Sequence, residues 1–152
     1  QMLGARIGDP RGVEGPPGQA LGLGLLDVDT IIGGAKTLKP ARGCLANTGA
    51  AFSGFEMHMG WSAGPGLARP WLMLADGKTD GAVSADGRIM GGYVHGLFAE
   101  ESFRRAFLAG LGAVAGAESF AARADAALDE IAATLEKSLD VDALLALARK
   151  RI

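Results

Sequence analysis

The fold class this sequence predicts is a layered α/β domain or part of one, and three observations predict it. Short strand-like segments between glycine turns fill the first half, a strand-to-helix junction falls at His95-Gly96, and from Ser119 onward the pattern is helical. At 152 residues the chain has room for one domain. Its 49% hydrophobic and 21% charged residues describe a globular chain that buries a core, not a disordered one. Glycine is the unusual residue, 24 of 152, more than twice its common share of about 7%. The glycines follow no collagen period, so they mark tight turns.

In chain order, Gln1 to Ile7 reads as the end of a helix, closed by Gly8, Asp9 and Pro10 and followed by a loop from Arg11 to Gly18. Leu21 to Val28 is apolar enough for a buried strand, although Gly22 and Gly24 leave little side chain to pack. Thr37 to Ala51 is expected to form a strand or hairpin. In Phe55 to Met59 the apolar Phe55, Met57 and Met59 alternate with Glu56 and His58, so an extended backbone puts both polar side chains on one face. Trp71 to Leu74 is a further short strand. Asp86-Gly87 signals a hairpin joining Ala82 to Ala85 with Arg88 to His95, because a two-residue turn of this type needs positive φ. After Phe98 the period becomes helical, with Phe103, Phe107, Leu108 and Leu111 on one face. Glu100 and Glu101 lie four residues before Arg104 and Arg105, and Gly110 and Gly112 supply the stop. Leu128, Ile131, Ala132, Leu135 and Leu139 follow amphipathic spacing, and Asp140 is placed to cap a last helix carrying Leu144, Leu145 and Leu147.

Several function classes are excluded. Fifteen basic against seventeen acidic residues, with no basic cluster, make nucleic acid an unexpected partner. A single cysteine, Cys44, forms no intrachain disulfide, and the two histidines, His58 and His95, give no metal-ligand spacing. A reducing cytoplasm is the compartment expected. The longest nearly apolar run, Phe107 to Ala117, is too short for a membrane helix, which needs about 18 residues or more. The chain opens on Gln1 without an initiator methionine or a signal-peptide pattern, and is expected to be the continuation of a longer protein.

His95 is the best-placed candidate for chemistry. It ends a strand just before a helix, between Gly92 and Gly96, and in open α/β sheets ligands bind beyond the carboxyl ends of strands. A histidine there can move a proton for a nucleophile, or it can be a hydrogen-bonded structural residue beside a turn. Cys44 lacks the glycine-crowded strand-to-helix turn of a nucleophile elbow and reads as a half-buried small hydrophobe. Glu56 and His58 are either a carboxylate-histidine pair or a solvated polar face. Alternate strand residues stand about 6.5 Å apart along the chain, too far for a hydrogen bond to be automatic. No glycine segment matches a phosphate-binding motif.

At Gly54-Phe55-Glu56-Met57-His58-Met59-Gly60, and from Val83 to Arg88 through Gly92-Tyr93-Val94-His95-Gly96-Leu97-Phe98, the sequence resembles the C-terminal glutaminase domain of cobyric acid synthases. The likeness extends to Leu23-Gly24-Leu25-Leu26-Asp27-Val28 and to Leu139 through Leu145. It implies a class I glutamine amidotransferase-like, flavodoxin-like layered sheet with helices, incomplete at the N-terminus, with C-terminal helices. Residues 1–152 are then the C-terminal portion of an amidotransferase domain. The family's elbow reads approximately Cys-Gly-Gly-Tyr-Gln-Met-Leu-Gly and this chain opens Gln1-Met2-Leu3-Gly4, so the nucleophilic cysteine is expected just before Gln1, with an ATP-using synthetase domain further upstream.

By the same resemblance, His95 matches the catalytic histidine and Gln1 a residue beside the nucleophile that helps hold the substrate. Glutamine is the implied substrate, and its ammonia goes to carboxylates of a corrinoid, adenosylcobyrinic acid a,c-diamide, in cobalamin biosynthesis. No cofactor is expected on this segment; ATP and Mg belong to the synthetase domain, and the segment alone is expected to turn over no glutamine. Two positions depart from the pattern. Leu97 stands where many class I amidotransferases carry a glutamate, and Phe55 where a tyrosine is more usual. Related readings are cobyrinic acid a,c-diamide synthase, the glutaminase partner of a cell-wall ligase, or a non-catalytic module of the same fold.

Overall fold

A computed structural model describes residues 1–114, 116 and 119–149. It divides into two compact units, Gln1–Ala115 and Gly116–Ile152. The class is mixed α/β, as the order of sequence patterns predicts.

The first unit begins with a correction. Gln1 to Ile7 is not a helix end: after a turn, Arg6–Asp9 forms β1. It pairs antiparallel with β2, Gly18–Leu21, and parallel with β3, Asp29–Ile31. The backbone groups that a helix would satisfy locally are met by residues far along the chain, a pairing that no local pattern announces. β6, Trp61–Ala63, completes a sheet of order β2-β1-β3-β6 once β4, Thr37–Leu45, and β5, Ala51–His58, have intervened.

Leu21 to Val28 is likewise not a buried strand. Only Leu21 belongs to a strand, and the amides of residues 22–26 bond back to the carbonyls of Met2, Leu3, Gly4 and Ala5. Gly24 takes φ +64°, which bends the segment, so Leu21, Leu23 and Leu25 are exposed while Leu26 and Val28 are buried. Leu26 and Val28 pack with Ala82, Leu3 and Ile89 in a small core.

The second sheet positions the site. Its order is β11-β5-β4-β7-β8, where β7 is Leu72–Leu74, β8 is Thr79–Asp80 and β11 is Val94–His95, and all its pairings are antiparallel among the described residues. Of the strand or hairpin expected over Thr37 to Ala51, the segment holds one strand, β4, and the turn after it; β5 begins at Ala51, and the β4–β5 hairpin runs from Thr37↔His58 to Cys44↔Ala51. The Asp86-Gly87 hairpin also forms, between β9, Ala82–Val83, and β10, Met90–Gly91. Its loop is wider than expected: the Ser84 amide bonds Ile89 O, and Gly87 alone of the two turn residues has positive φ. The strand expected to run from Arg88 to His95 is therefore two, β10 and β11, in different sheets.

Helix α1, Glu101–Gly110, covers one face of the five-stranded sheet. Phe103 is fully buried and meets Phe52 and Trp71 edge-on, with ring centroids 6.1 Å away in each case. Ala41, Leu45, Leu72, Val94 and Leu97 complete this core. The Glu101–Arg105 ion pair forms as the spacing predicts, and Gly112 follows the helix at φ +76°. In the second unit the predicted helices are α2, Phe120–Ser138, and α3, Val141–Arg149. Ser119 Oγ accepts the Ala122 amide and Asp140 Oδ1 the Ala143 amide. Among the described residues no helix is long and apolar enough to cross a membrane.

Candidate active site

β5 carries chemistry on both faces because successive strand residues point opposite ways. One face runs from Phe52 in the α1 core to Glu56 and His58; the other carries Phe55. The alternation is as the sequence predicts, but the polar pair takes the enclosed face: the Glu56 and His58 side chains are 16% and 15% exposed, while Phe55 is 40% exposed.

His95 sits on the Phe55 side. β11 pairs with β5 in the register Val94↔Glu56 and His95↔Phe55, and the His95 and Phe55 rings stack 5.4 Å apart at 16°. Gly54 makes this approach possible, since a Cβ there would collide with the His95 carbonyl. Gly96, at φ +81°, then turns the chain into a 3-10 turn over Leu97–Ala99 and on to α1. The His95 ring is exposed, and its Nδ1 lies 2.8 Å from Tyr93 O. A carbonyl only accepts, so Nδ1 carries the proton and the Nε2 of the neutral ring presents a lone pair outward. That is the form a general base requires.

On the enclosed face, His58 Nε2 lies 2.8 Å from Glu56 Oε1 and its Nδ1 2.9 Å from Gly60 O. The carboxylate-histidine pair therefore forms after all, and the Gly60 carbonyl, which only accepts, takes the Nδ1 proton. Rotation of the side chains toward each other closes the gap that the backbone rise alone leaves. Lys39, directly across from Glu56 in the β4–β5 register, places Nζ 3.0 Å from Oε2, an oxygen shielded from solvent that makes no hydrogen bond of good geometry. Burial pushes the Glu56 carboxyl up, but Lys39 and His58 outweigh it and hold it below the usual carboxylate range.

The Tyr93 ring stacks on His58 at 4.1 Å, and its hydroxyl continues a chain through Ser62 Oγ at 2.6 Å to Thr30 Oγ1 at a further 2.6 Å. Asp80, 8% exposed, accepts the amides of Tyr93 and Val94 at 2.8 and 3.0 Å. Burial pushes its carboxyl above the ordinary value despite those two donors, and the Glu56 charge adds to the rise. A cavity of about 290 Å³ opens here, lined by Gln1, Lys39, Glu56, His58, Asp80 and Tyr93 among others. Gln1 Nε2 donates to Met59 O at 3.2 Å.

The structure thus brings Gln1 together with Glu56 and His58 around the cavity, whereas His95 projects from the other face of β5 and does not line it. Cys44 is half-buried on β4, opposite Ala51. Since Ala51 and Phe55 are four residues apart and β4 and β11 flank β5, the backbones at Cys44 and His95 are separated by about 14 Å along the strands and about 10 Å across them. Cys44 is out of reach of His95. Among the described residues no cluster of three or more His, Cys, Asp or Glu side chains could hold a metal.

Asp80, Lys39, Ser62 and Tyr93 were not singled out from the sequence. Asp80-Gly81 reads as a turn, and Lys39 and Ser62 carry no local signal. Tyr93, the single tyrosine of the chain, had one: its place between Gly92 and the Val94-His95 strand.

The model of the CobB/CobQ-like glutamine amidotransferase domain matches residues 1–103, a span holding Gln1, His95 and every cavity residue named above. The chain is 57% identical over 148 residues to the cobyric acid synthase of Caulobacter sp. (strain K31), covering 97% of this chain and 30% of that protein. It is 55% identical over 148 residues to that of Methylocella silvestris, covering 97% and 31%, and 50% identical over 149 residues to that of Rhodobacter capsulatus, covering 98% and 31%. The chain spans about 30% of the length of the curated relatives it matches. On that family match and those identities, this chain belongs to the CobB/CobQ-like glutamine amidotransferase domain family.

Proposed function

We propose that the chain is the glutaminase portion of a cobyric acid synthase, releasing ammonia from glutamine for the ATP-dependent amidation of corrinoid carboxylates in cobalamin biosynthesis. The observation that carries the reading is His95: exposed at the end of β11, held as the Nδ1–H form by Tyr93 O, with Nε2 free to take a proton. In this chemistry a thiol gives its proton to Nε2 and attacks the glutamine side-chain amide. The C–N bond breaks, ammonia leaves with that proton, and water cleaves the thioester to glutamate.

The distance from Cys44 to His95 supports a nucleophile supplied by sequence beyond these residues, as in the elbow that the Gln1-Met2-Leu3-Gly4 segment resembles. Gln1 lies on the wall of a cavity that His95 does not line, so its proposed part in holding glutamine rests on the resemblance of the Gln1-Met2-Leu3-Gly4 segment alone. The three sheets and three α-helices among the described residues are read as the C-terminal part of a flavodoxin-like class I amidotransferase domain, working in the cytoplasm. ATP and Mg2+ act at the synthetase portion, where adenosylcobyrinic acid a,c-diamide is the proposed acceptor.

The test is His95→Ala in the full-length gene product, with amidation driven either by glutamine or by ammonium salt. Glutamine-dependent amidation is expected to be abolished and ammonium-driven amidation retained. Equal loss of both, or retention of both, would overturn the assignment. Cys44→Ala serves as the control and should leave both activities intact.

A further inference from the structure

We propose that Asp80 is a positioning residue for His95, acting through the peptide group between Tyr93 and Val94; the inference rests on the proton-transfer role proposed for His95. Asp80 ends β8 on the far edge of the sheet order from β11, yet its buried carboxylate reaches the segment that carries His95. Oδ2 accepts the Val94 N–H at 3.0 Å, and the Tyr93 N–H is shared between Oδ2 at 2.8 Å and Oδ1 at 3.1 Å.

The Val94 N–H and the Tyr93 C=O belong to one planar, conjugated peptide group. That same carbonyl accepts the Nδ1–H of His95 at 2.8 Å. Carboxylate, peptide and imidazole therefore form a single line of hydrogen bonds. A negative charge against the N–H end draws electron density toward the carbonyl oxygen, so the first bond strengthens the second. The Met57 amide, 3.2 Å from Tyr93 O, ties the carbonyl to β5 and limits its rotation. The imidazole is held as the Nδ1–H form, the task a carboxylate performs by direct contact in Ser-His-Asp sites. It answers the departure seen at Leu97, a buried apolar side chain two residues after His95. Here the carboxylate acts one peptide away.

Asp80→Asn keeps the side chain's shape and one acceptor oxygen and removes the charge. In the full-length gene product it is expected to lower kcat for glutamine turnover about tenfold or more through misorientation of His95, while the KM for glutamine stays within about twofold of wild type. In the 15N-histidine-labelled 152-residue chain, which has two histidines, the Asn variant should populate the Nε2–H form at His95 and leave the Nδ1 proton of His58 in place. Unchanged kcat, a parallel rise in KM, or a His95 ring that remains wholly Nδ1–H would each overturn the inference. If His95→Ala itself leaves glutamine turnover intact, it is the proposed function that falls. If His95→Ala abolishes turnover and Asp80→Asn does not, only the role of Asp80 falls.

Discussion

Replacing Gly92 with alanine sets one methyl group against the Asp80 carboxylate, and the size of the effect can be worked from the structure. A Cβ at Gly92 would lie 2.5 Å from Asp80 Oδ2 and 3.4 Å from the Gly81 Cα. An ordinary carbon-oxygen approach is about 3.3 Å, so the carboxylate must retreat by about 0.8 Å. Retreat by that amount carries the 3.0 Å bond to the Val94 N–H beyond hydrogen-bonding range. Gly92 does not have positive φ, so the backbone itself tolerates alanine. Loss of one hydrogen bond to a buried charged group costs about 1.5–3 kcal/mol.

The assay is urea unfolding of Gly92→Ala followed by the fluorescence of Trp61 and Trp71, both in the first unit. Gly91→Ala is the control. Its Cβ would meet only the free end of Leu3, Cδ1 at 2.9 Å, which can rotate away at little cost. Repeating Gly92→Ala in an Asp80→Ala background isolates the cause, because a penalty that runs through the carboxylate vanishes when the carboxylate is gone. Full additivity of the two substitutions, or a Gly92→Ala variant as stable as wild type, would refute the reasoning.

Two further outcomes follow from the packing and the charges. Phe103→Ala removes the fully buried ring that meets Phe52, Trp71, Phe98 and Phe107, and should lower the unfolding free energy by about 3–5 kcal/mol in the same urea titration; a loss below about 1 kcal/mol would mean that the aromatic cluster does not hold α1 to the sheet. For Glu56 the folded-state pKa is depressed, so its contribution to stability is complete above the ordinary carboxylate range and is lost as pH falls through the lowered value. Lys39→Met removes one of the two partners and leaves the burial, so acid unfolding should begin at higher pH than in wild type. Superimposable acid limbs would show that the Lys39 contact contributes nothing.

The parts of this fold legible in the sequence are those whose signal is local. Ser119 and Asp140 cap helices in their own first turns, the Glu101–Arg105 pair spans one turn, and the Phe55 to Met59 alternation needs only the pleat of a single strand. Each rests on residues within four positions of one another. The misreadings share the opposite property. β1 was hidden because its partners are residues 18–21 and 29–31, and the Leu21 to Val28 run looked buried because apolar content alone does not reveal that Gly24 bends the chain back toward residues 2–5.

The same division holds at the candidate site. From the sequence alone came His95 at a strand end before a glycine, the shared face of Glu56 and His58, and an unsuitable Cys44, all consequences of residue type and short spacing. The enclosure of Glu56 and His58 was decided by the Tyr93 ring that stacks on His58 and by the Lys39 register that places an ammonium across from Glu56. Tertiary structure alone carried the Asp80 carboxylate to the amides of Tyr93 and Val94, thirteen and fourteen residues away. A hydrogen bond between distant residues depends on how intervening turns return the chain, and that path is set by packing of the whole unit, not by the pattern around either partner.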